Sequence, residues 1–326
     1  MTIKISNIAI GGYRSFGSIQ YFSNFKKINL FIGRNNSGKS NILRFINNIY
    51  ATRNSKEKYK QDPIDRHFPN GGDLIIGAAC YPEEAKYNLI GYIKNKFTPE
   101  EYPRIDDQNH QSILKIYNEV AKIEQQDSCW TLFNFSKSRS IIESWSLATQ
   151  ILTNDELYRL WGAFTRGSNG DRNNHWSPQT IEKLNPALQH SNESHFIPAI
   201  RQIALSGNNE STGYDGSGII NKLAKLQNPD VLNQDLRKRF LEINYFVQSV
   251  LDRKDATIEI PYDRNTILVH MDNKVLPLDS LGTGVHEVII LAAAATTLND
   301  TILCIEEPEL HLNPVLQRKL LKYLSE

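Results

Sequence analysis

The chain has 326 residues, enough for a sizeable core and for either one elaborated domain or two. Lys and Arg number 37 against 36 Asp and Glu, which excludes a surface-wide field for a polyanion and confines any nucleic-acid contact to a local patch. No run reaches the ~18 apolar residues of a membrane span, no signal-peptide core opens the chain, and Cys80, Cys129 and Cys304 lack paired spacing; a soluble cytoplasmic protein without a zinc site is expected.

In chain order, Ile3 to Ile10 and Lys27 to Phe31 alternate apolar and polar around the turn residues Gly11 and Gly12, the pattern of paired strands. The second run predicts a strand leading directly into Gly33. After Ser40, the residues Ile42, Leu43, Phe45, Ile46 and Ile49 recur at helical spacing. A further strand is expected over Asp73 to Cys80, behind a Pro69-to-Gly72 loop. From Glu84 to Asp255 the period becomes helical, as in Ile113, Ile116, Tyr117, Val120 and Ile123 and again over Leu236 to Leu251. Ser206 to Gly218 reads as a mobile loop, and Pro229 with Asp230 opens the last helix of this stretch. Strands return at Thr257 to Pro261 and Ile267 to Met271, with a short run to Leu278. A helix from His286 to Leu298, a buried strand from Thr301 to Ile305 and a helix from Pro314 follow. The fold class expected is α/β: a P-loop head with a mixed sheet built from residues 1–83 and 256–326, interrupted by a mostly helical insertion, 84–255.

Two segments carry recognisable chemistry. Gly33-Arg34-Asn35-Asn36-Ser37-Gly38-Lys39-Ser40 fits G-x-x-x-x-G-K-[ST] ahead of a helix. The glycines let successive backbone N–H groups wrap a phosphate, Lys39 reaches the β and γ phosphates of ATP, and the Ser40 hydroxyl ligates Mg²⁺. The apolar run Thr301 to Ile305 ends in Glu306 and Glu307. One acid there suits the metal and the next the attacking water, so Glu306 is assigned to Mg²⁺ and Glu307 to general base. Lys39, Glu306 and Glu307 are thus the expected catalytic residues. Between the two segments, Leu278 to Glu287 is a Ser/Gly loop opening a helix; it reads equally as a phosphate-binding helix start or an ordinary N-capped helix.

Together these motifs resemble the ABC/SMC-like ATPases of the RecF and OLD (overcoming lysogenization defect) type, in particular the ATPase parts of bacterial anti-phage systems. Tyr13-Arg14-Ser15-Phe16 looks like the early arginine motif of that group, Gly33 to Ser40 like its Walker A, and Ser280 to Gly284 like its signature loop. Glu306 to Pro314 looks like its Walker B and D-loop, the double Glu favouring the OLD side. Phe196 to Arg201 also looks familiar, without an assignable role. The resemblance implies an ABC-type head that sandwiches ATP between two protomers. Ser280 and Gly282 would then touch the γ phosphate in trans, Arg14 would approach phosphate in cis, and His311 would lie where two D-loops cross. It further implies a homodimer or larger homo-oligomer acting as the ATP-gated module of a defence system, with a nuclease or other effector following or in a partner chain. Members continue with a strand ending in a switch histidine, so the part ending at Glu326 is expected to be truncated; no TOPRIM constellation precedes it.

Other readings stay open. A RecF-like DNA-repair clamp predicts DNA-stimulated hydrolysis, and a structural ATP-binding scaffold predicts almost none. Arg14 could also be a solvated turn arginine, and a lone His such as His311 is more often a structural, hydrogen-bonded histidine. Tyr13 or Phe16 could stack on adenine or sit in the core. Basic and aromatic residues interleave from Lys137 to Trp176, including Arg139, Trp145, Arg159, Trp161, Arg166 and Arg172, as in a nucleic-acid groove. The plainer expectation is Trp in a helical core and Arg on its solvated face.

Overall fold

A computed structural model describes residues 7–51, 62–69, 72–84, 105–137, 139–184, 193–199, 203, 214, 216, 218–298 and 301–325. The chain forms two compact units, one of Lys4–Asn41 with Asn48–Ser191, the other of Met1–Ile3, Ile42–Asn47 and Asn192–Glu326. The boundary near residue 191 falls inside the stretch 84–255, so that stretch contributes to both units.

In the first unit the apolar run Asn7–Gly11 is strand β1, wholly buried. It is flanked by β2 (Gln20–Phe22) and β3 (Ile75–Cys80), both antiparallel to it. The sheet continues through β4 (Cys129–Asn134) and β5 (Arg139–Ile141), giving the order β2-β1-β3-β4-β5. The expected strand at Lys27 to Phe31 is absent: residues 23–38 carry no strand. Both edges of β1 are already bonded by β2 and β3, and Ile28, Leu30 and Ile32 stand 37%, 62% and 91% exposed. Alternation marks a run able to form a strand, but its apolar side chains must also find a face to bury, and these three do not. Phe31 instead packs edge-on against Phe22.

Helix α1 (Lys39–Phe45) follows the glycine-rich loop. The helical period of the next stretch is realised in α2 (Asp107–Glu124), which buries Ile113, Ile116, Tyr117 and Val120. The Asp106 carboxylate accepts from the Asn109 N–H at 2.7 Å and caps its start. Around it pack α3 (Glu143–Ala148), α4 (Asn154–Thr165) and α5 (Ser177–Leu184), with Trp145 edge-on to Tyr117 at the centre. The capping box of α4 joins Thr153 and Glu156. The Lys115 ammonium and the Thr153 N–H hold the Glu156 carboxyl down to about 2.

The second unit begins with β6 (Ser194–Ile197), α6 (Ile219–Gln227) and α7 (Asp235–Leu251). An antiparallel sheet of β7 (Thr257–Glu259), β8 (Leu268–Met271) and β9 (Lys274–Pro277) follows. Helix α8 (Thr283–Thr297) runs through the core, with every residue from His286 to Ala294 buried. Strand β10 (Ile302–Ile305) pairs in parallel with β6, and α9 (Pro314–Ser325) closes the described chain. Of the expected mobile loop, only Tyr214, Gly216 and Gly218 are described; the rest lies outside the described residues.

Cys129 and Cys304 are buried and unbridged, as small apolar residues; the Cys80 side chain lies outside the description. Burial pushes the Cys304 thiol up to about 12. Because the thiolate is the nucleophile, Cys304 should resist a thiol reagent in mildly alkaline buffer while the protein is folded and react once denaturant is added. Mapping the alkylated peptide by mass spectrometry checks this, and labelling of native Cys304 would contradict it.

Candidate nucleotide site

Gly33 to Ser40 forms an exposed loop that closes on itself in the first unit. The Ser37 N–H donates to the Arg34 carbonyl at 3.2 Å. The Lys39 ammonium donates to the carbonyls of Gly33 at 2.8 Å and Arg34 at 3.0 Å. Asn36 (φ 64°) and Gly38 (φ 95°) are left-handed, the geometry that turns consecutive N–H groups inward as an anion nest. At position 38 a Cβ would stand 2.7 Å from Ser15 Oγ and 3.2 Å from the Phe16 ring, so glycine is required for both conformation and space.

Those contacts bring the Tyr13-to-Phe16 segment onto the loop. The Asn41 amide, one residue past Ser40, donates to Ser15 Oγ at 2.9 Å. Arg14, left-handed at φ 45°, directs Nε and Nη2 at one oxygen of the buried Asp65 carboxylate, each at 2.7 Å. It is therefore an engaged arginine rather than a solvated turn residue. Tyr13 is 0% exposed and belongs to the core, which removes it as an adenine platform; Phe16 lies half-buried and edge-on to Phe22.

The acidic pair lies in the second unit. Parallel pairing sets Cys304 beside Phe196 and Ile305 beside Ile197, and the Glu306 N–H extends the ladder by donating to the Ile197 carbonyl at 2.9 Å. Phe196 and Ile197, which open the segment without an assignable role, thus end the strand next to the acidic one; residues 200 and 201 lie outside the described residues. The Phe196 ring lies 4.9 Å beneath the Arg44 guanidinium, which also reaches Glu306 at 3.7 Å. Glu307 is exposed and left-handed at φ 44°, as is His311 at 60°. Such non-glycine residues cost on the order of 1–3 kcal/mol and gather where a side chain must be aimed. The Asn313 side-chain Oδ1 caps α9 by accepting from the Val315 and Leu316 N–H groups, each at 3.0 Å.

The Ser/Gly loop lies in that second unit too. Leu278–Ser280 forms a single 3₁₀ turn, and α8 starts after Gly282 with no side-chain cap. The ordinary N-capped helix is therefore not what forms: Ser280, Gly282 and Thr283 are exposed around an uncapped start. A Cβ on Gly284 would stand 2.9 Å from the His311 carbonyl oxygen, so the helix start packs directly on the loop after the acidic strand. One turn in, burial holds the His286 imidazole below its ordinary value, against the hydrogen bond it donates to the Leu278 backbone carbonyl and the charge of Asp279.

Within its unit, then, the structure gathers the P-loop with Arg14, and within the other it gathers Glu306, Glu307, His311 and the Ser280-to-Gly284 loop. Sequence reasoning missed Asn41, Arg44, Asp65 and His67, whose Nδ1 lies 2.7 Å from the Arg14 carbonyl. Asn41 and Arg44 were findable from their places on the helix after Lys39; Asp65 and His67 carry no local signal. Of the interleaved patch, Trp145 (1% exposed) donates to the Trp130 carbonyl and Trp161 (3%) to Gln179, so both are core. The Arg172 guanidinium is committed to Asn154 and to the carbonyls of Thr149 and Leu152.

Among the described residues no helix is long and apolar enough to cross a membrane. Among the described residues no group of three or more His, Cys, Asp or Glu could hold a metal; Mg²⁺ in a P-loop needs only a hydroxyl and a carboxylate beside phosphate and water oxygens. The glycine cradle and the lysine above it fit a nucleotide's phosphates. No curated protein matches the chain. A family model described as AAA ATPase domain matches residues 3–326, and the chain belongs to that family of ATP-binding ATPases.

Proposed function

We propose that the chain is an ATP-hydrolysing module of the ABC/SMC-like OLD and RecF type, cytoplasmic, in which two or more copies close on ATP. It would act as the ATP-gated regulator of an anti-phage system, releasing a nuclease or other effector. The observation that carries this reading is the exposed, uncapped start of α8 at Ser280 to Gly284, packed on the loop after the acidic strand. A bare helix start attracts an anion through its N–H groups and its dipole. In this reading the anion is the γ phosphate held by another copy.

The roles follow from the side-chain chemistry. Backbone N–H groups of Arg34 to Lys39 would cradle the phosphates, and Lys39 would exchange the Gly33 and Arg34 carbonyls for phosphate oxygens. Ser40 and Glu306 would hold Mg²⁺, which when bound neutralises charge developing on the phosphates. Glu306 would leave the long Arg44 contact for the metal. Glu307, aimed by its left-handed backbone, would take the proton of the attacking water.

Mass in solution tests the reading. With ATP and Mg²⁺ the protein is expected to shift from its nucleotide-free mass to at least a dimer and to release phosphate slowly. Chelating Mg²⁺ should stop phosphate release. An unchanged mass with ATP bound would leave an ATPase without the sandwich; ATP bound tightly without phosphate release would favour the scaffold.

A further inference from the structure

The turn from Gly12 to Gly17 is short, self-bonded and braced from one side. Tyr13 and Phe16 exchange backbone hydrogen bonds at 3.0 and 2.7 Å, and the Gly12 N–H donates to the Gly17 carbonyl. Three bonds from residues 65–67 then hold Arg14 in its left-handed conformation. Its N–H donates to the Asp65 carbonyl at 2.9 Å, its guanidinium binds the Asp65 carboxylate, and its carbonyl lies 2.7 Å from His67 Nδ1. A further bond runs from the His67 N–H to the Gly12 carbonyl at 3.2 Å. On its other side the turn bears on the P-loop, through Ser15 with Asn41 and through Ser15 and Phe16 against Gly38.

We infer that Asp65 is a positioning residue of the nucleotide site: it fixes the Arg14 turn against the P-loop and orients the guanidinium toward a nucleotide phosphate. The inference rests on the ATP-binding reading above. Asp65 is 4% exposed, and its buried carboxylate is met by the Arg14 guanidinium. The pair engages Nε and Nη2, so the Nη1 amine of the planar fork is not committed to Asp65. Because the fork is rigid, fixing one edge fixes the direction of the other. The residue that aims Arg14 is thus 51 positions from it in sequence.

The test is the dissociation constant of a fluorescent ATP analogue for wild type, Asp65→Asn, Arg14→Gln and the double variant. Melting temperature without nucleotide is measured alongside, and Lys39→Ala serves as control. Asp65→Asn and Arg14→Gln should each weaken binding by roughly tenfold, one charge-assisted contact, and the double variant no further than the weaker single. Asp65→Glu keeps the charge with a longer reach; it should fall between wild type and Asp65→Asn in affinity, and it serves if Asp65→Asn does not fold. Wild-type affinity in Asp65→Asn with a lowered melting temperature would make Asp65 merely structural and overturn the inference, as would losses that add. If wild type binds the analogue no better than Lys39→Ala, the ATP reading itself falls and takes this inference with it, and that result is separate from the Asp65 comparison.

Discussion

Glu307→Gln should lower kcat by on the order of 10²–10⁴-fold, the usual worth of a positioned general base, while leaving ATP binding intact. Gln keeps the size of Glu and its capacity to hold a water by hydrogen bonding, but it cannot take a proton. The side chain is exposed, so no core contact is lost. The left-handed backbone at φ 44° strains Gln no more than Glu, so the melting temperature without nucleotide should stay that of wild type. With closure outlasting hydrolysis, the variant should also accumulate the ATP-bound assembly that wild type passes through. Single-turnover phosphate release and mass measured together decide the matter. Equal turnover in both proteins would move the base elsewhere, with Glu306 the next carboxylate to examine.

Lys39→Ala is expected to act earlier, on binding. The ammonium would make at least two charged hydrogen bonds to phosphate, each worth about 1.5–3 kcal/mol, so ATP affinity should fall on the order of 10²–10³-fold. Without nucleotide the effect on stability should be small. The lysine's present acceptors, the Gly33 and Arg34 carbonyls, are exposed, and water replaces the lost donors. The diagnostic is therefore a difference. Saturating ATP should raise the melting temperature of wild type through mass action and leave that of Lys39→Ala where it was. A variant that ATP stabilises as strongly as wild type would mean that the loop does not hold the phosphates.

Much of the molecule was legible because helices announce themselves. The period of Ile113, Ile116, Tyr117 and Val120 locates α2, and the C-terminal helices fall within a few residues of where their periods place them. Strands were harder. Lys27 to Phe31 alternates as well as Asn7 to Gly11 does, yet only the second is in the sheet, because alternation says nothing about whether a run finds a face to bury. Strands β4 and β5 were hidden in a stretch read as helical, where six residues of mixed character offer too short a window to separate the two periods. The candidate site divides the same way. The P-loop and the double Glu are contiguous and chemically unusual, so they stand out; Asp65, whose role depends on where a distant turn comes to rest, is an ordinary Asp after an ordinary Pro-Ile.

Helix α8 has no solvent face along its buried stretch. Turning it about its axis would therefore bring no face to solvent while moving the buried His286 and Glu287, and its middle turns can open only when the surrounding core does. Any fraying is left to its two ends, and the first end is the Ser280-to-Gly284 loop. In the proposed reading the donors offered to an incoming phosphate thus stand at an end free to fray, on a helix body that does not open. Docking an anion there has only that first turn to order, so the entropy forfeited is confined to a few residues.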